Sequence, residues 1–395
     1  MDSIGKHHYG LNITTMKDFL SNFVMKEKLK DGKTNEPFRK PPSNKVDWSE
    51  DSSKPYELWT YLRSIGYFKS DWEPWECLFT IPTSNSTNDI NELQNMIQEI
   101  NDINPKIKTT DYIGKPVQVN TTTKERLKEN LGERSKLCVY DTYLQNIPLL
   151  HIYTKTDASR FLTPFYSFIF FQNYKVDLWV KRFVRDHVRY IDEIMCASAR
   201  VIASLRQNVI LLNNTNINGD YHSMHIRRGD FQYNYKPTRL KANELLKQSK
   251  KYFDKNSIIY IATDERDKSF FQPFVDYYKG IYYLDDFLDN IQGINTNYYG
   301  MIDQLICTKS TYFVGTWWST FSAYINRMRA YHVTKQKFNN KEMQDGIIDS
   351  WYFDPIGFDR KDEMRIYHPV RKPLYMREFP TSWKDIDNAF DVVME

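Results

Sequence analysis

Strand–helix alternation between residues 220 and 331 constrains the fold of this chain more than any other feature of the sequence. Four short runs of apolar and aromatic residues are predicted strands, and segments with helical periodicity separate them. The predicted strands are Tyr221–Ile226, Ser257–Asp264, Ile281–Leu284 and Tyr312–Val314. Strands that alternate with helices favour a mostly parallel sheet with right-handed crossovers. The sequence therefore predicts the α/β class.

Helical spacing of apolar residues supplies the other predicted elements. Within the alternating region, helices are predicted near residues 241–253, 267–278, 298–310 and 322–331. Upstream, residues 176–207 are predicted to form one long helix with an apolar stripe that includes Ile194 and Met195, and a short amphipathic helix is predicted near residues 91–100. The polar stretches 30–55 and 83–110 are typical of surface loops.

Composition narrows the class of protein. A chain of 395 residues with 41% hydrophobic content can bury a large core, and its length favours two domains. The net charge of +4 is too small for this length to indicate a nucleic-acid partner. The four cysteines (Cys77, Cys138, Cys196 and Cys307) lie far apart without CxxC spacing, which disfavours zinc and leaves buried thiols or one or two disulfides open.

The sequence carries no clear membrane or export segment. No apolar run reaches the roughly 18 residues that a membrane helix needs, so no transmembrane segment is expected. The densest candidate, "FLTPFYSFIFF" at residues 161–171, is shorter and contains Pro164. The first ten residues lack the apolar stretch of a signal peptide.

Polar residues follow three of the predicted strands at the point where each strand ends. Arg227, Arg228, Gly229 and Asp230 follow the first strand, Asp264 ends the second, and "GTWWSTF" at residues 315–321 follows the fourth. Ligands of open parallel sheets bind beyond the carboxyl ends of the strands. We therefore expect these groups to meet at one edge of the sheet.

The chemistry of these groups indicates an anion site. A Gly-flanked loop with two hydroxyl groups, Ser319 and Thr320, opens a helix and offers unpaired N–H groups to a phosphate. Taken singly, Ser319 or Thr320 could be only a helix cap, and Arg227 an ordinary surface arginine. Their place at neighbouring strand ends favours a phosphate or diphosphate site. Asp303 is either an exposed carboxylate or an acceptor for two N–H groups of a guanine edge.

Three blocks of sequence resemble a known family. "HIRRGDF" (225–231), "YIATD" (260–264) and "MIDQLICTKSTYFVGTWWSTFSAYI" (301–325) are similar to the signature blocks of the GDP-fucose protein O-fucosyltransferases, most of all to the type that modifies thrombospondin repeats. The resemblance covers residues 220–332 well, and two upstream stretches match more loosely. It implies a GT-B architecture of two Rossmann-like lobes and a secretory-pathway location in the endoplasmic reticulum or Golgi lumen.

The resemblance also implies residue roles. Carried over position by position, it assigns His225 and Asp303 to the guanine nucleoside and makes Arg227 the catalytic residue that bridges the diphosphate and the glycosidic oxygen. Ser319, Thr320 and Phe321 would hold the phosphate and the donor sugar. The supporting residues would be Arg228, Asp230, Asp264 and Gly315. The expected reaction is an inverting transfer of fucose from GDP-fucose, without metal or other cofactor, to a hydroxyl of a protein or glycan.

One departure from the family pattern concerns the N-terminal part. No glycine-rich block with Asn precedes residues 10–20, so the chain is expected to have an incomplete first lobe, and the general base stays unassigned. The expected organisation is a first lobe at 1–210, a GDP-sugar-binding lobe at 211–369 and a tail at 370–395. Two alternatives are a GDP-sugar-binding pseudoenzyme and an adhesion protein that displays the Arg228–Asp230 triplet. The Asp385–Asp387 pair lies in the tail and is not expected to bind a metal.

Overall fold

A computed structural model describes residues 77–81, 87–103, 122–131, 134–146, 169–173, 189–339 and 350–357, together with isolated positions between 175 and 187. The predicted loop at 30–55 and the Asp385–Asp387 pair lie outside the described residues. Two separate parallel sheets organise the described part, one of three strands and one of five. The predicted α/β class is confirmed, whereas the predicted lobe boundaries stay a prediction.

The first sheet lies in the N-terminal part of the chain and has the strand order β2-β1-β3. Its elements are β1 (Cys77–Ile81), α1 (Thr87–Ile103), α2 (Thr123–Leu131), β2 (Lys136–Val139), α3 (Thr142–Asn146) and β3 (Ile169–Phe171). Leu93 and Ile97 of α1, one turn apart, pack with Leu78 of β1 in a buried cluster. The amphipathic helix predicted at 91–100 is thus confirmed, and it extends to 17 residues.

A disulfide fixes two neighbouring strands of the first sheet. Cys77 of β1 bonds to Cys138 of β2, with Cα atoms 5.6 Å apart, and closes a separation of 61 residues. The other two cysteines, Cys196 and Cys307, are free. The sequence left one or two disulfides open, and the structure contains one.

The second sheet has the strand order β6-β5-β4-β7-β8, all parallel. Its elements follow a helix, α4 (Asp192–Leu212), and are β4 (His222–Ile226), α5 (Phe231–Asn234), α6 (Ala242–Ser249), β5 (Ile258–Thr263), α7 (Gln272–Val275), β6 (Gly280–Tyr282), α8 (Tyr299–Thr308), β7 (Phe313–Thr316), α9 (Thr320–Asn339) and β8 (Ser350–Phe353). Short 3₁₀ helices occupy Lys236–Thr238, Lys268–Phe271, Leu284–Ile291 and Thr296–Tyr298. The chain moves outward from β4 in one direction to β6 and then returns to the other side of β4 at β7. The carboxyl ends of β4 and β7 therefore flank the point where the strand order reverses, which is where open α/β sheets bind ligands.

Buried clusters cover both faces of the second sheet. On one face, Tyr260 and Phe313 pack with α4 and with Ile306 of α8. On the other face, Met224 and Val314 pack with residues of α6 and α7. Coverage on both faces explains why β5, near the middle of the sheet, is almost continuously apolar.

Two predicted helices differ from the observed ones. The helix predicted at 176–207 is not continuous: the described positions between 175 and 187 are helical, but Ile191 has extended backbone angles and a new helix begins at Asp192. In that helix Ile194 is buried, as predicted, whereas Met195 is 40% exposed. The helix predicted at 267–278 is a 3₁₀ turn followed by the short α7, whose first turn contains Pro273.

In the described residues, α4 is long and apolar enough, by length and composition only, to cross a membrane. Six of its residues are nevertheless buried: Ile194, Ala197, Ser198, Val201, Leu205 and Val209. Five of these belong to the core cluster of the second sheet. Such burial is typical of a core helix, so this finding is weak support for a membrane span.

Candidate functional site

Arg227 lies directly after β4, where the strand order reverses, and two carboxylates hold its side chain. Nη1 pairs with Asp264 Oδ2 at the end of β5, and Nη2 donates to Asp230 Oδ1 at 2.8 Å. The Arg227 side chain keeps 32% exposure. A guanidinium has five N–H donors, so three remain after these two contacts. Arg227 is therefore oriented in advance and still able to donate to an oxyanion.

The loop after Arg227 depends on a glycine. Gly229 has a φ of +48°, and a Cβ atom there would lie 2.9 Å from Asp264 Oδ2. The other oxygen of Asp264 accepts the backbone N–H of Arg228 at 2.7 Å. Since Asp264 thus contacts both arginines, the absence of a side chain at Gly229 lets one carboxylate set the whole turn.

The Arg228 side chain turns away from Arg227. Its Nε donates to Glu265 at 2.6 Å, and its guanidinium carbon lies 3.6 Å from the centre of the Phe270 ring. An adhesion triplet needs its arginine free on a protruding loop, and this arginine is held by a carboxylate and a ring. The geometry disfavours the adhesion hypothesis.

Thr316 joins the ends of β4 and β7. Its hydroxyl donates to the carbonyl of His225 at 3.0 Å and accepts the backbone N–H of Arg227 at 2.9 Å. Arg227 is therefore fixed at its backbone by β7 and at its side chain by the residue that follows β5.

His225 is a buried neutral imidazole. Its Nδ1 lies 2.7 Å from Ser322 Oγ, and its ring stacks on Phe321 with centroids 4.3 Å apart. Burial, and secondarily the charge of Arg227, lower the pKa of His225 to about 3. The ring is consequently uncharged at physiological pH, with one donor and one acceptor nitrogen.

Gly315 allows α9 to approach β7 closely. A Cβ atom at Gly315 would lie 2.6 Å from Ser322 Oγ and 2.7 Å from Ser322 Cβ. This close approach brings the first turn of α9, with Ser322 and Phe321, against His225.

Ser319 and Thr320 lie where α9 begins. Ser319 is buried, its backbone N–H donates to the Thr316 carbonyl at 3.3 Å, and its own carbonyl accepts from Ala323 at 3.0 Å. Trp318, just before it, has a left-handed φ of 61°. The N–H groups of the first helical turn have no partner within a helix and face the end where the macrodipole is positive.

Asp303 lies in the second turn of α8 and contacts β5. Its Oδ1 accepts a hydrogen bond of 2.5 Å from the Tyr260 hydroxyl. Burial raises the pKa of Asp303 to about 7, and the Tyr260 hydrogen bond opposes that rise. Asp303 is half-buried, and among the described residues no cation forms an ion pair with its carboxylate, an arrangement that disfavours the ionised form.

Hydrogen bonds and ring contacts link some of the expected site residues and leave others apart. Arg227, His225 and Phe321 are joined through Thr316 and Ser322. Asp303 is connected to this group only indirectly: its neighbour Gln304 donates to the carbonyl of Phe321 at 3.4 Å.

A small cavity lies beside Arg227, and neither Asp303 nor Ser319 lines it. That cavity is lined by Gln232, Thr238 and Trp317, among others. The expected ligand roles of these residues therefore stay predictions.

Three polar residues of this region were given no role of their own in the analysis of the sequence. Tyr260, Thr316 and Ser322 all form hydrogen bonds to expected site residues. Thr316 and Ser322 belong to the same block of sequence as Ser319. Their position beside the end of a predicted strand could have indicated that they belong to the site. Tyr260 is in the middle of an apolar strand, where its sequence context is that of a core residue.

Comparison with known families settles the class of this chain. The family model for GDP-fucose protein O-fucosyltransferase matches residues 65–332, which is more than half of the chain. The chain belongs to this family. Curated proteins gave no match. The match includes β4, β5, β7 and the loops after them, so every residue of the site described above lies within it.

Proposed function

We propose that this O-fucosyltransferase family member transfers fucose from GDP-fucose to a protein hydroxyl, with inversion at the anomeric carbon. Membership of the family implies a GDP-fucose donor and a protein acceptor. The observation that carries the proposal for this chain is Arg227, held by Asp264 and Asp230 at the reversal point of the sheet. A fixed positive charge at this position would stabilise a leaving diphosphate.

In an inverting transfer the acceptor oxygen forms its bond to the anomeric carbon opposite the bond that breaks to the diphosphate. The electron pair of the broken bond leaves with GDP, and the acceptor hydroxyl gives its proton to a general base. Negative charge therefore grows on the diphosphate oxygens. Arg227 and the first N–H groups of α9 are suited to stabilise that charge, because they are oriented before the reaction begins.

The donor-binding roles divide between two regions of the site. We assign the diphosphate to Arg227, Ser319 and Thr320, and the donor sugar to Phe321 beside them. We assign the guanine base to Asp303 and His225. A half-buried carboxylate with a raised pKa and no ion pair among the described residues is typical of a binding or catalytic group.

The location we propose is the lumen of the secretory pathway, where family members typically act. The Cys77–Cys138 disulfide supports it, because disulfides persist in oxidising compartments and are rare in the cytosol.

A binding experiment tests the donor site. GDP, and not ADP, is expected to raise the melting temperature of the wild type. Arg227→Ala is expected to lose roughly a hundredfold in GDP affinity, corresponding to about 3 kcal/mol for a charge-assisted contact. The control Arg239→Ala removes an exposed arginine whose guanidinium lies 5.8 Å from the Tyr233 ring, and it should bind GDP like the wild type.

A transfer assay with radiolabelled GDP-fucose and acceptor domains then separates enzyme from pseudoenzyme. Labelled product that disappears in Arg227→Ala supports the proposal. GDP binding without any transfer favours the pseudoenzyme, and equal responses to GDP and ADP overturn the donor assignment.

A further inference from the structure

A buried tyrosine on the second sheet touches the carboxylate that we assign to guanine. Tyr260 is fully buried in β5, and its neighbours in the sheet are Ser223 of β4 and Tyr282 of β6. Its side chain crosses to α8, where its hydroxyl donates to Asp303 Oδ1 at 2.5 Å. Among the described residues, Tyr260 is the one hydrogen-bond donor to the Asp303 side chain. The second carboxylate oxygen, Oδ2, can therefore accept a hydrogen bond from a ligand.

Burial keeps the tyrosine in its donor form. Burial raises the pKa of the Tyr260 hydroxyl well above its usual value of 10, and the charge of Asp303 adds to that effect. The phenol is therefore protonated at every relevant pH. A permanent donor at 2.5 Å favours the carboxylate over the carboxylic acid and restricts its rotation.

The protonation state of Asp303 determines which base edge it matches. Guanine presents two N–H donors on its Watson–Crick edge, and a carboxylate offers only acceptors. Adenine presents one N–H donor and one acceptor on that edge. A protonated carboxyl group offers one O–H donor and one acceptor, so it matches adenine instead.

We propose that Tyr260 is a positioning residue for base selection: its hydrogen bond holds Asp303 as an oriented carboxylate that accepts guanine and rejects adenine. This inference rests on the proposed function, since it assumes that Asp303 faces the base. Tyr260 itself does not touch the nucleotide and acts through Asp303.

The charged groups around Asp303 make the selection sensitive to pH. Tyr260 faces it from β5, Lys268 from the 3₁₀ turn after β5, and Asp285 from the turn after β6, while Cys307 is one turn further along α8. Asp285 raises and Lys268 lowers the pKa of Asp303. With that pKa near 7, guanine preference should decline as the pH falls below 7 and the carboxylate becomes protonated.

The test measures GDP and ADP affinity by calorimetry at pH 6, 7 and 8. The readout is the ratio of the two affinities, because both ligands carry the same diphosphate and its own titration cancels. In the wild type the ratio should rise with pH. In Tyr260→Phe the midpoint of that rise should move upward by at least about one pH unit, so that the ratio at pH 7 falls about tenfold.

Tyr221→Phe is the matched control. Tyr221 is also buried, and its hydroxyl donates to the carbonyl of Ile306 in the same helix at 2.8 Å. Both variants lose one buried hydroxyl bond to α8, but only one of those bonds ends on Asp303. Tyr221→Phe should lose stability while its affinity ratio and its pH midpoint stay at the wild-type values.

The outcomes separate the inference from the proposed function. If the wild type does not prefer GDP at pH 8, the donor assignment itself fails. If the wild type prefers GDP and Tyr260→Phe behaves like Tyr221→Phe, only the inference about Tyr260 is overturned. Asp303→Asn keeps the shape of the side chain and cannot ionise, so a pH dependence of the ratio that survives in it also overturns the inference.

Discussion

At the scale of single residues, the site depends on one carboxylate that serves two neighbours. Asp264 binds the Arg227 side chain with one oxygen and the Arg228 backbone N–H with the other. Asp230 also binds Arg227, but its side chain is 84% exposed. The two carboxylates therefore make the same type of contact to one arginine in very different surroundings.

This difference predicts unequal costs of removal. Asp264→Ala removes two charge-assisted hydrogen bonds, to the Arg227 side chain and to the Arg228 N–H, and is expected to lower the free energy of unfolding by about 1–2 kcal/mol, since water can reach the freed N–H. Asp230→Ala removes an exposed ion pair and is expected to cost less than about 1 kcal/mol. Urea denaturation followed by tryptophan fluorescence measures both. Equal losses would show that the Arg228 N–H contact contributes nothing.

Residue identities at the strand ends were predictable from sequence, and their partners were not. Arg227, Asp264 and Gly315 were expected at one edge because parallel strands place their carboxyl ends together, and the structure has them there. The Tyr260–Asp303 contact spans 43 residues in sequence. Nothing local distinguishes such a tyrosine from an ordinary core residue, because the partner is determined by how α8 packs on the sheet.

At the scale of elements, helix boundaries show where local signals compete. The apolar stripe continues through residues 176–207, but the helical structure is interrupted at residues 189–191, and a new helix begins at Asp192 with Asp192 and Glu193 in its first turn. Acidic residues there interact favourably with the helix dipole and mark a helix start. The periodicity suggested one helix, and the acidic pair was the better guide to its boundary. Strand β8 was not predicted at all, since its four residues lie beyond the region of regular strand–helix alternation at 220–331.

One arginine connects three elements of the second sheet and its helices. Arg329 of α9 is buried and donates to the carbonyls of Ser310 at 2.5 Å and Thr311 at 2.8 Å, just beyond α8. Its Nε donates to Ser350 Oγ of β8 at 2.6 Å. A positive charge at a helix C-terminus is favourable because the carbonyl groups there lack helical partners.

Replacing Arg329 should destabilise the second sheet and its helices mainly through the hydrogen bonds that are lost, even where the new side chain fills the same volume. Arg329→Met keeps the bulk but leaves several buried acceptors without donors, and we expect a loss of at least about 3 kcal/mol in the free energy of unfolding. Arg329→Lys has three N–H donors instead of five and lacks the planar guanidinium geometry. It should therefore be more stable than Arg329→Met but less stable than the wild type. Thermal unfolding in the absence of ligand measures both variants. A methionine variant as stable as the wild type would show that these bonds add nothing.

At the scale of the whole molecule, the two sheets are stabilised differently. The second sheet has apolar clusters on both faces, whereas the described part of the first sheet has one apolar cluster and a disulfide. A cross-link between residues 61 apart removes conformational freedom mainly from the unfolded chain. The disulfide should therefore stabilise mainly the N-terminal part of the chain, and this stabilisation should be lost when the disulfide is reduced.

Thiol chemistry gives a direct test of this division. The chain has four cysteines, and the structure pairs Cys77 with Cys138, so the denatured, unreduced protein should show two reactive thiols and the reduced protein four. In the native state only the exposed Cys196 should react quickly, because Cys307 is buried. Four thiols before reduction would show that the disulfide does not form.

Loss of the cross-link should cost the first sheet about 4 kcal/mol, by the loop-entropy estimate for this separation. Cys77→Ser with Cys138→Ser should accordingly expose the N-terminal sheet to limited proteolysis at temperatures where the wild type resists cleavage. GDP binding should persist, since Arg227, Asp303 and Ser319 all lie in the part of the chain that forms the second sheet and its helices. A double variant that loses GDP binding while its second lobe stays protease-resistant would mean that the first sheet contributes to the donor site.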